Sequence, residues 1–271
     1  GNTDMTVWRF NANGTLDTSF SGDGVFVHHG AAAGDGDDAG HALAVDVQGR
    51  VLVAGFSTNI AGNKDLAVWR LNANGTLDTA FSGDGFFIQN GAAGGAGDDI
   101  GNAIAIDAGG RVLVAGSSMN SSNNRDMMVW RLTSAGAPDS TFPGGGVVIN
   151  NGAAGSNGDD DGNGIAVDSQ GRIIVTGSST NTAGNKDMVV WRLNSDGSMD
   201  ISFGADGIMT HNGAAGGSGD DALTLTGTSV IGELLLLGEA DDDIVTLDYS
   251  ISTGSLITDG GEGWDDALIV N

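Results

Sequence analysis

Four times in this chain a glycine precedes paired aspartates: Gly36-Asp37-Asp38, with Asp35 just before it, then Gly97-Asp98-Asp99, Gly158-Asp159-Asp160 and Gly219-Asp220-Asp221, with Trp264-Asp265-Asp266 a looser fifth. Calcium takes about 6 to 8 oxygen ligands, often carboxylates with backbone carbonyls, and glycine lets a backbone fold around the ion. Asp35, Asp37, Asp38, Asp98, Asp99, Asp159, Asp160, Asp220, Asp221, Asp265 and Asp266 are therefore the candidate calcium ligands, read as acidic loops. The competing assignment is that these aspartates cap turns by accepting from backbone amides. A second acidic series, Asp23, Asp84 and Asp206, lies in the Ser-Gly-Asp-Gly type of turn and is broken by Gly145 in the third copy.

The basic residues fall in only three kinds of place. Arg9, Arg70, Arg131 and Arg192 follow a tryptophan; Arg50, Arg111 and Arg172 follow a glycine; Lys64, Arg125 and Lys186 precede an aspartate. That distribution predicts structural pairing with carboxylates, which the planar guanidinium suits, and not a basic binding patch. His28 shares its position with Gln89, Asn150 and His211, His29 with Asn90, Asn151 and Asn212, and His41 with Asn102 and Asn163. A place that accepts Gln or Asn is a hydrogen-bonding place. A catalytic base needs a positioned titrating group and zinc three or four converging ligands, and the sequence exposes neither pattern. No serine or threonine has a distinctive His or Lys partner, so no nucleophile constellation emerges. Of three Asn-x-Ser/Thr sequences, those at Asn13 and Asn74 sit in Asn-Gly turns, whereas Asn120 lies in a polar loop open to a glycan.

These residues are positioned by an exact period. At an offset of 61, Trp8, Trp69, Trp130 and Trp191 superpose, as do Phe20, Phe81, Phe142 and Phe203, without insertion or deletion. Within the first copy the turn chemistry of Asn13-Gly14 and Asp46-Val47-Gln48-Gly49 separates four expected strands, 4–10, 24–29, 41–46 and 50–56. The runs ALAVD and RVLVAG form the clearest hairpin, with apolar residues on both faces, as in a sheet covered on both sides. The fold class is thus all-β, a β-propeller-like array of four-stranded 61-residue repeats with a divergent β-rich C-terminal segment. Stacking into an open array is the rival arrangement. Residues 1–221 carry the tandem repeats and 222–271 a divergent acidic segment, expected to complete a blade in cis or in trans. The chain starts within a blade, since 1–4 corresponds to 62–65.

The segments VWRLNANGTLDTAFSGDG and AIAIDAGGRVLVAGSS resemble the bacterial sixty-residue repeats called delta-60 repeats, and more loosely the β-propeller repeats of secreted bacterial proteins. That resemblance covers about residues 1–221 and implies a propeller fold and a secreted or surface setting, with no catalytic residue to carry over. The tail, with GGSGDDALTLTG, GEADDDIVTLD and DGGEGWDDALIVN, is similar to the Gly/Asp-rich strands of secreted repeats-in-toxin proteins. Its units lie about twenty residues apart instead of nine, which argues against a regular β-roll.

Composition narrows the function. There are 35 acidic against 10 basic residues among 271, so phosphate backbones and anionic membrane surfaces are repelled and nucleic acid is excluded as a partner. Cysteine is absent, which removes disulfides and thiolate chemistry. No apolar run approaches the roughly 18 residues of a membrane span, and the chain, opening at Gly1, reads as a processed or excised segment. The expectation is a non-enzymatic extracellular structural or adhesive repeat protein, calcium-stabilised and self-associating head to tail through edge strands into filaments. The alternative is a monomeric β-propeller that binds a carbohydrate or protein ligand, such as a cell-surface glycan.

Overall fold

A computed structural model describes residues 1–211 in full and, beyond them, the backbone of five strands within 222–270. The chain divides into two units, Gly1–Met209 and Thr210–Asn271.

The first unit is a series of antiparallel sheets. Strands β1 (Met5–Trp8) and β2 (Val25–His28) form a two-stranded sheet. Next come three four-stranded sheets. The first is β3 (Ala33–Val45), β4 (Val51–Asn59), β5 (Lys64–Leu71) and β6 (Phe86–Gln89). The second is β7 (Gly94–Ile106), β8 (Val112–Asn120), β9 (Arg125–Leu132) and β10 (Val147–Asn150), and the third is β11 (Gly155–Val167), β12 (Ile173–Asn181), β13 (Lys186–Leu193) and β14 (Ile208–His211). Each is a meander in which consecutive strands are neighbours. This is the all-β, repeated four-stranded architecture of propeller blades.

Each blade combines the last two strands of one sequence copy with the first two of the next. The four strands expected in the first copy therefore belong to two sheets, with β1 and β2 as a half-blade. The third strand also begins at Ala33 instead of residue 41, so the acidic motif lies inside a strand and not in a loop. Glycine and aspartate are poor strand formers in isolation, but here they permit close approach. A Cβ on Gly34 would sit 2.4 Å from the carbonyl oxygens of Thr58 and Asn59, and one on Gly116 would sit 1.9 Å from that of Ile100. Near Gly116 the β7–β8 register slips by one residue between Gly101 and Ala103, leaving Asn102 as the bulged residue; the same slip brackets His41 and Asn163.

Hydrophobic cores lie between successive sheets. Met5, Val7 and Phe20 of the half-blade pack on Val51, Val53, Ala67, Trp69 and Leu71. Leu52, Ala54, Leu66, Val68 and Phe81 pack on Val112, Val114, Met128, Trp130 and Leu132. Leu113, Ala115, Met127, Val129 and Phe142 repeat the pattern against Ile173, Val175, Val189, Trp191 and Leu193. Alternate residues of the central strands thus serve alternate interfaces, which is why β4, β5, β8 and β9 are apolar on both faces. The strand ALAV does not share this cover in the first blade. It is the sheet edge, and Leu43 and Val45 are exposed.

In the second unit, β15 (Ala222–Thr226), β17 (Ile244–Asp248) and β19 (Ala267–Val270) pair in parallel, and β16 (Leu234–Gly238) pairs in parallel with β18 (Leu256–Gly260). Successive strands alternate between the two sheets, so Ala222 stands beside Ile244 one turn later.

Candidate functional site

The acidic motif is a joint between blades. The Oδ1 atoms of Asp37, Asp98 and Asp159 accept from the backbone N–H of Thr3, Lys64 and Arg125 at 2.8, 2.9 and 2.9 Å, each in the preceding sheet or its entry. Nearby, the Asn2 and Asn63 amides donate to the backbone carbonyls of Asp35 and Ala96 at 3.0 and 2.5 Å. The next aspartate points elsewhere: Asp38, Asp99 and Asp160 are buried, and their Oδ2 atoms accept from Gly30, Gly91 and Gly152 N–H in the connection between sheets. Their Oδ1 atoms have no hydrogen-bond partner. Burial holds the Asp99 and Asp160 carboxyls above the usual carboxylate range, despite the Ser118 and Ser179 hydroxyls. Asp35 is exposed. Asp220, Asp221, Asp265 and Asp266 lie outside the described residues. Asp23, Asp84 and Asp206 cap turns, accepting from Val25, Phe86 and Ile208 N–H at 2.9, 3.3 and 2.9 Å.

The arginines are also structural. Arg9, Arg70, Arg131 and Arg192 place Nε 2.8 to 2.9 Å from Asp17, Asp78, Asp139 and Asp200. Each guanidinium lies over Phe20, Phe81, Phe142 or Phe203, at 4.7, 4.6, 4.3 and 4.5 Å from the ring centroid. Arg131 also donates to the Ser195 carbonyl at 2.6 Å, reaching the next copy. The Thr141 hydroxyl and, after it, Arg131 hold Asp139 below the ordinary carboxylate range. Arg50, Arg111 and Arg172 close their hairpins onto Asp46, Asp107 and Asp168 at 2.6, 2.5 and 2.6 Å. Arg125 and Lys186 both reach Asp161, and Lys64 lies over Phe56.

The shared His, Gln and Asn position is a hydrogen-bonding one. His28 Nδ1 and Asn150 Oδ1 accept from Trp69 and Trp191. Asn120 is buried, with Nδ2 donating to Asp126 at 2.6 Å, so its amide is built into the β8–β9 turn and not offered to a glycan. Asn13 and Asn74 behave as turn formers, each accepting from the N–H and hydroxyl of Thr15 or Thr76.

Two arrangements were not anticipated. His29 converges with Asp4 and Asp38 in the half-blade, their nearest ligand-type atoms all within 4.8 Å. Asp4 lies just before β1, His29 just after β2 and Asp38 within β3, so the fold and not the sequence brings them together. The other is a cavity of about 430 Å³ between the hairpin turns of the first two blades, lined by Asp46, Gln48, Arg50, Asp107 and the Gly109–Gly110 backbone. There Arg50 Nη2 has a long 3.4 Å bond to Gln48, and Nη1 lies 3.6 Å from Asp78.

The fold and this arrangement define a β-propeller-type repeat array whose polar recurring residues join blades. Segments 1–20, 49–81, 110–142 and 169–203 match the family described as "Domain of unknown function (DUF5122) beta-propeller". Among solved structures, a fucose lectin from Kordia zhangzhouensis, in complex with methyl-fucoside, is similar at 11% identity with a TM-score of 0.35, over 55% of this chain and 90% of that one. No curated protein matches the chain.

Proposed function

We propose that this protein is a non-enzymatic, extracellular propeller-type module that binds a polar ligand, carbohydrate or protein, in the cleft between blade hairpins. The observation that carries this reading is the groove at Asp46, Gln48, Arg50 and Asp107, whose size suits a small sugar and whose arginine has two weakly engaged Nη atoms. Sugar hydroxyls both donate and accept, so adjoining carboxylate, amide and guanidinium groups are suitable partners. A non-catalytic role is supported by the repeat itself, since the arginines and the turn aspartates are engaged in bonds that join or close blades. The extracellular setting is supported by the resemblance to secreted repeats. The lectin among the similar structures is described with methyl-fucoside, so fucosides belong in the first screen. The test is a glycan array followed by calorimetry on wild type and Gln48→Ala. That substitution removes a groove amide but leaves the backbone N–H that caps Asp46. Binding that weakens severalfold in the variant supports the reading, and absence of any glycan or protein ligand rejects it.

A second reading, head-to-tail self-association into filaments, is favoured by one observation. Trp8 is 58% exposed and Phe10 59%, whereas Trp69, Trp130 and Trp191 are 0, 5 and 0% exposed beneath the preceding sheet. At the other end of the array Met188 is 37% exposed where Met127 and Leu66 are fully buried. These two faces are the two halves of the interface that recurs between blades, and a second copy would join them heterologously. Sedimentation over a range of concentrations tests it: association abolished by Trp8→Ser supports this reading, and a monomer at all concentrations overturns it.

Calcium stabilisation belongs to the same proposal and is supported by the unpartnered buried oxygens of Asp38, Asp99 and Asp160. A melting temperature unchanged between calcium and chelator removes it.

A further inference from the structure

The half-blade differs from the other sheets at one residue with chemical consequences. Where later copies have Asn90 and Asn151, it has His29. Asn90 acts as a plain donor, giving Nδ2–H to Asp65 Oδ1 at 2.8 Å. Its counterpart His29 makes no such bond: Nδ1 lies 3.7 Å from Asp4 Oδ1 and 3.9 Å from Asp38 Oδ2, and Nε2 lies 4.0 Å from Asp35 Oδ1. Those separations exceed hydrogen-bond length. They are close to the spacing of neighbouring ligands around one ion, since metal bonds of about 2.0 to 2.2 Å at tetrahedral angles set ligand atoms roughly 3.3 to 3.6 Å apart.

A further observation concerns Asp38. It is 1% exposed; its Oδ2, the oxygen recorded nearest His29, accepts from Gly30 N–H, and its Oδ1 has no hydrogen-bond partner, as at Asp99 and Asp160, where an asparagine stands in place of the histidine. A buried carboxylate oxygen left without a donor is costly, and a cation is one way to satisfy it. Asp4, by contrast, is exposed, leaving the cluster open to entry from solvent.

We infer that Asp4, His29 and Asp38 form a binding site for a divalent transition metal, with zinc as the representative ion, present once among the described residues. Two carboxylates and one imidazole favour a borderline ion over calcium, which prefers oxygen alone. Water would fill the remaining position.

The test uses the whole chain, stripped with chelator, and zinc chloride as the probe in calorimetry and thermal melts, on wild type, His29→Asn and Asp38→Asn. His29→Asn installs the residue found in the other copies, so the fold is retained, as a melt without metal verifies. The expected result is one zinc per chain in wild type, a metal-dependent rise in melting temperature, and affinity lower by about tenfold or more in both variants. Calcium stabilisation, acting at all repeats, would be indifferent to His29→Asn. Wild type that takes up no zinc, or a His29→Asn chain that binds it as tightly as wild type, overturns the assignment.

Discussion

Trp69 donates its indole Nε1–H to Nδ1 of His28, 41 residues earlier, at 3.3 Å. One period later than His28, Gln89 gives its amide to the Asn90 carbonyl, and Trp130 Nε1 is left without a partner. Two periods later than His28, Asn150 Oδ1 accepts from Trp191 at 2.9 Å. In two of these three copies the position is therefore an acceptor for the next blade's tryptophan, an imidazole in one and an amide in the other.

His28 has a consequence for pH. Burial holds its imidazole below the ordinary value of 6.5, and the Nδ1 that accepts from Trp69 is an unprotonated nitrogen. A base whose folded pKa is depressed contributes stability above the unfolded value and loses it as pH falls through the folded one. We expect wild type to lose stability between pH 7 and 5, and His28→Asn, which keeps an acceptor, to lose less. Urea melts at both pH values measure the difference.

Asp99 works in the opposite direction. Its carboxyl is pushed up from 3.8 by burial, so its contribution is complete at low pH and is lost as pH rises through the folded value. Asp99→Asn should therefore flatten the part of the stability profile lying above pH 4, without changing the slope attributable to His28. Equal slopes in variant and parent would show that the buried oxygen is satisfied by something other than a proton.

Arg131 is 1% exposed, paired with Asp139 and bonded to the Ser195 carbonyl. Arg131→Ala leaves a buried carboxylate and a carbonyl unsatisfied and should cost about 3 to 5 kcal/mol in chemical denaturation. Arg131→Lys should recover only part of that, since an ammonium cannot present the planar fork that meets Asp139 and Ser195 together. A loss below about 1 kcal/mol for the alanine variant, the size of an exposed pair, would contradict the inter-blade role.

What was legible in the sequence was whatever the period repeats. Trp69, Trp130 and Trp191, the arginine after each, and the shared His, Gln and Asn position identify themselves as scaffold through recurrence, and the structure uses them so, whereas Trp8 recurs with them and is exposed. The start of β3 was not legible, because Gly34, Gly36, Asp37 and Asp38 are poor strand formers alone and become strand only where a partner needs a residue without a Cβ. Blade phasing was hidden for a different reason: a period fixes spacing, not which strands of two adjacent copies share a sheet. The cluster of Asp4, His29 and Asp38 was invisible because alignment with Asn90 and Asn151 made His29 look interchangeable with an amide. The glycan reading of Asn120 failed because its bond to Asp126 is made across a turn that composition marks only as polar.

The burial of equivalent tryptophans against the preceding sheet is the feature on which the rest depends. Hydroxyl-radical footprinting of the dilute wild-type chain, read residue by residue in mass spectrometry, tests it directly. The array predicts fast oxidation of Trp8 and strong protection of Trp69, Trp130 and Trp191. Oxidation of any of those three as fast as Trp8 would contradict stacked 61-residue blades.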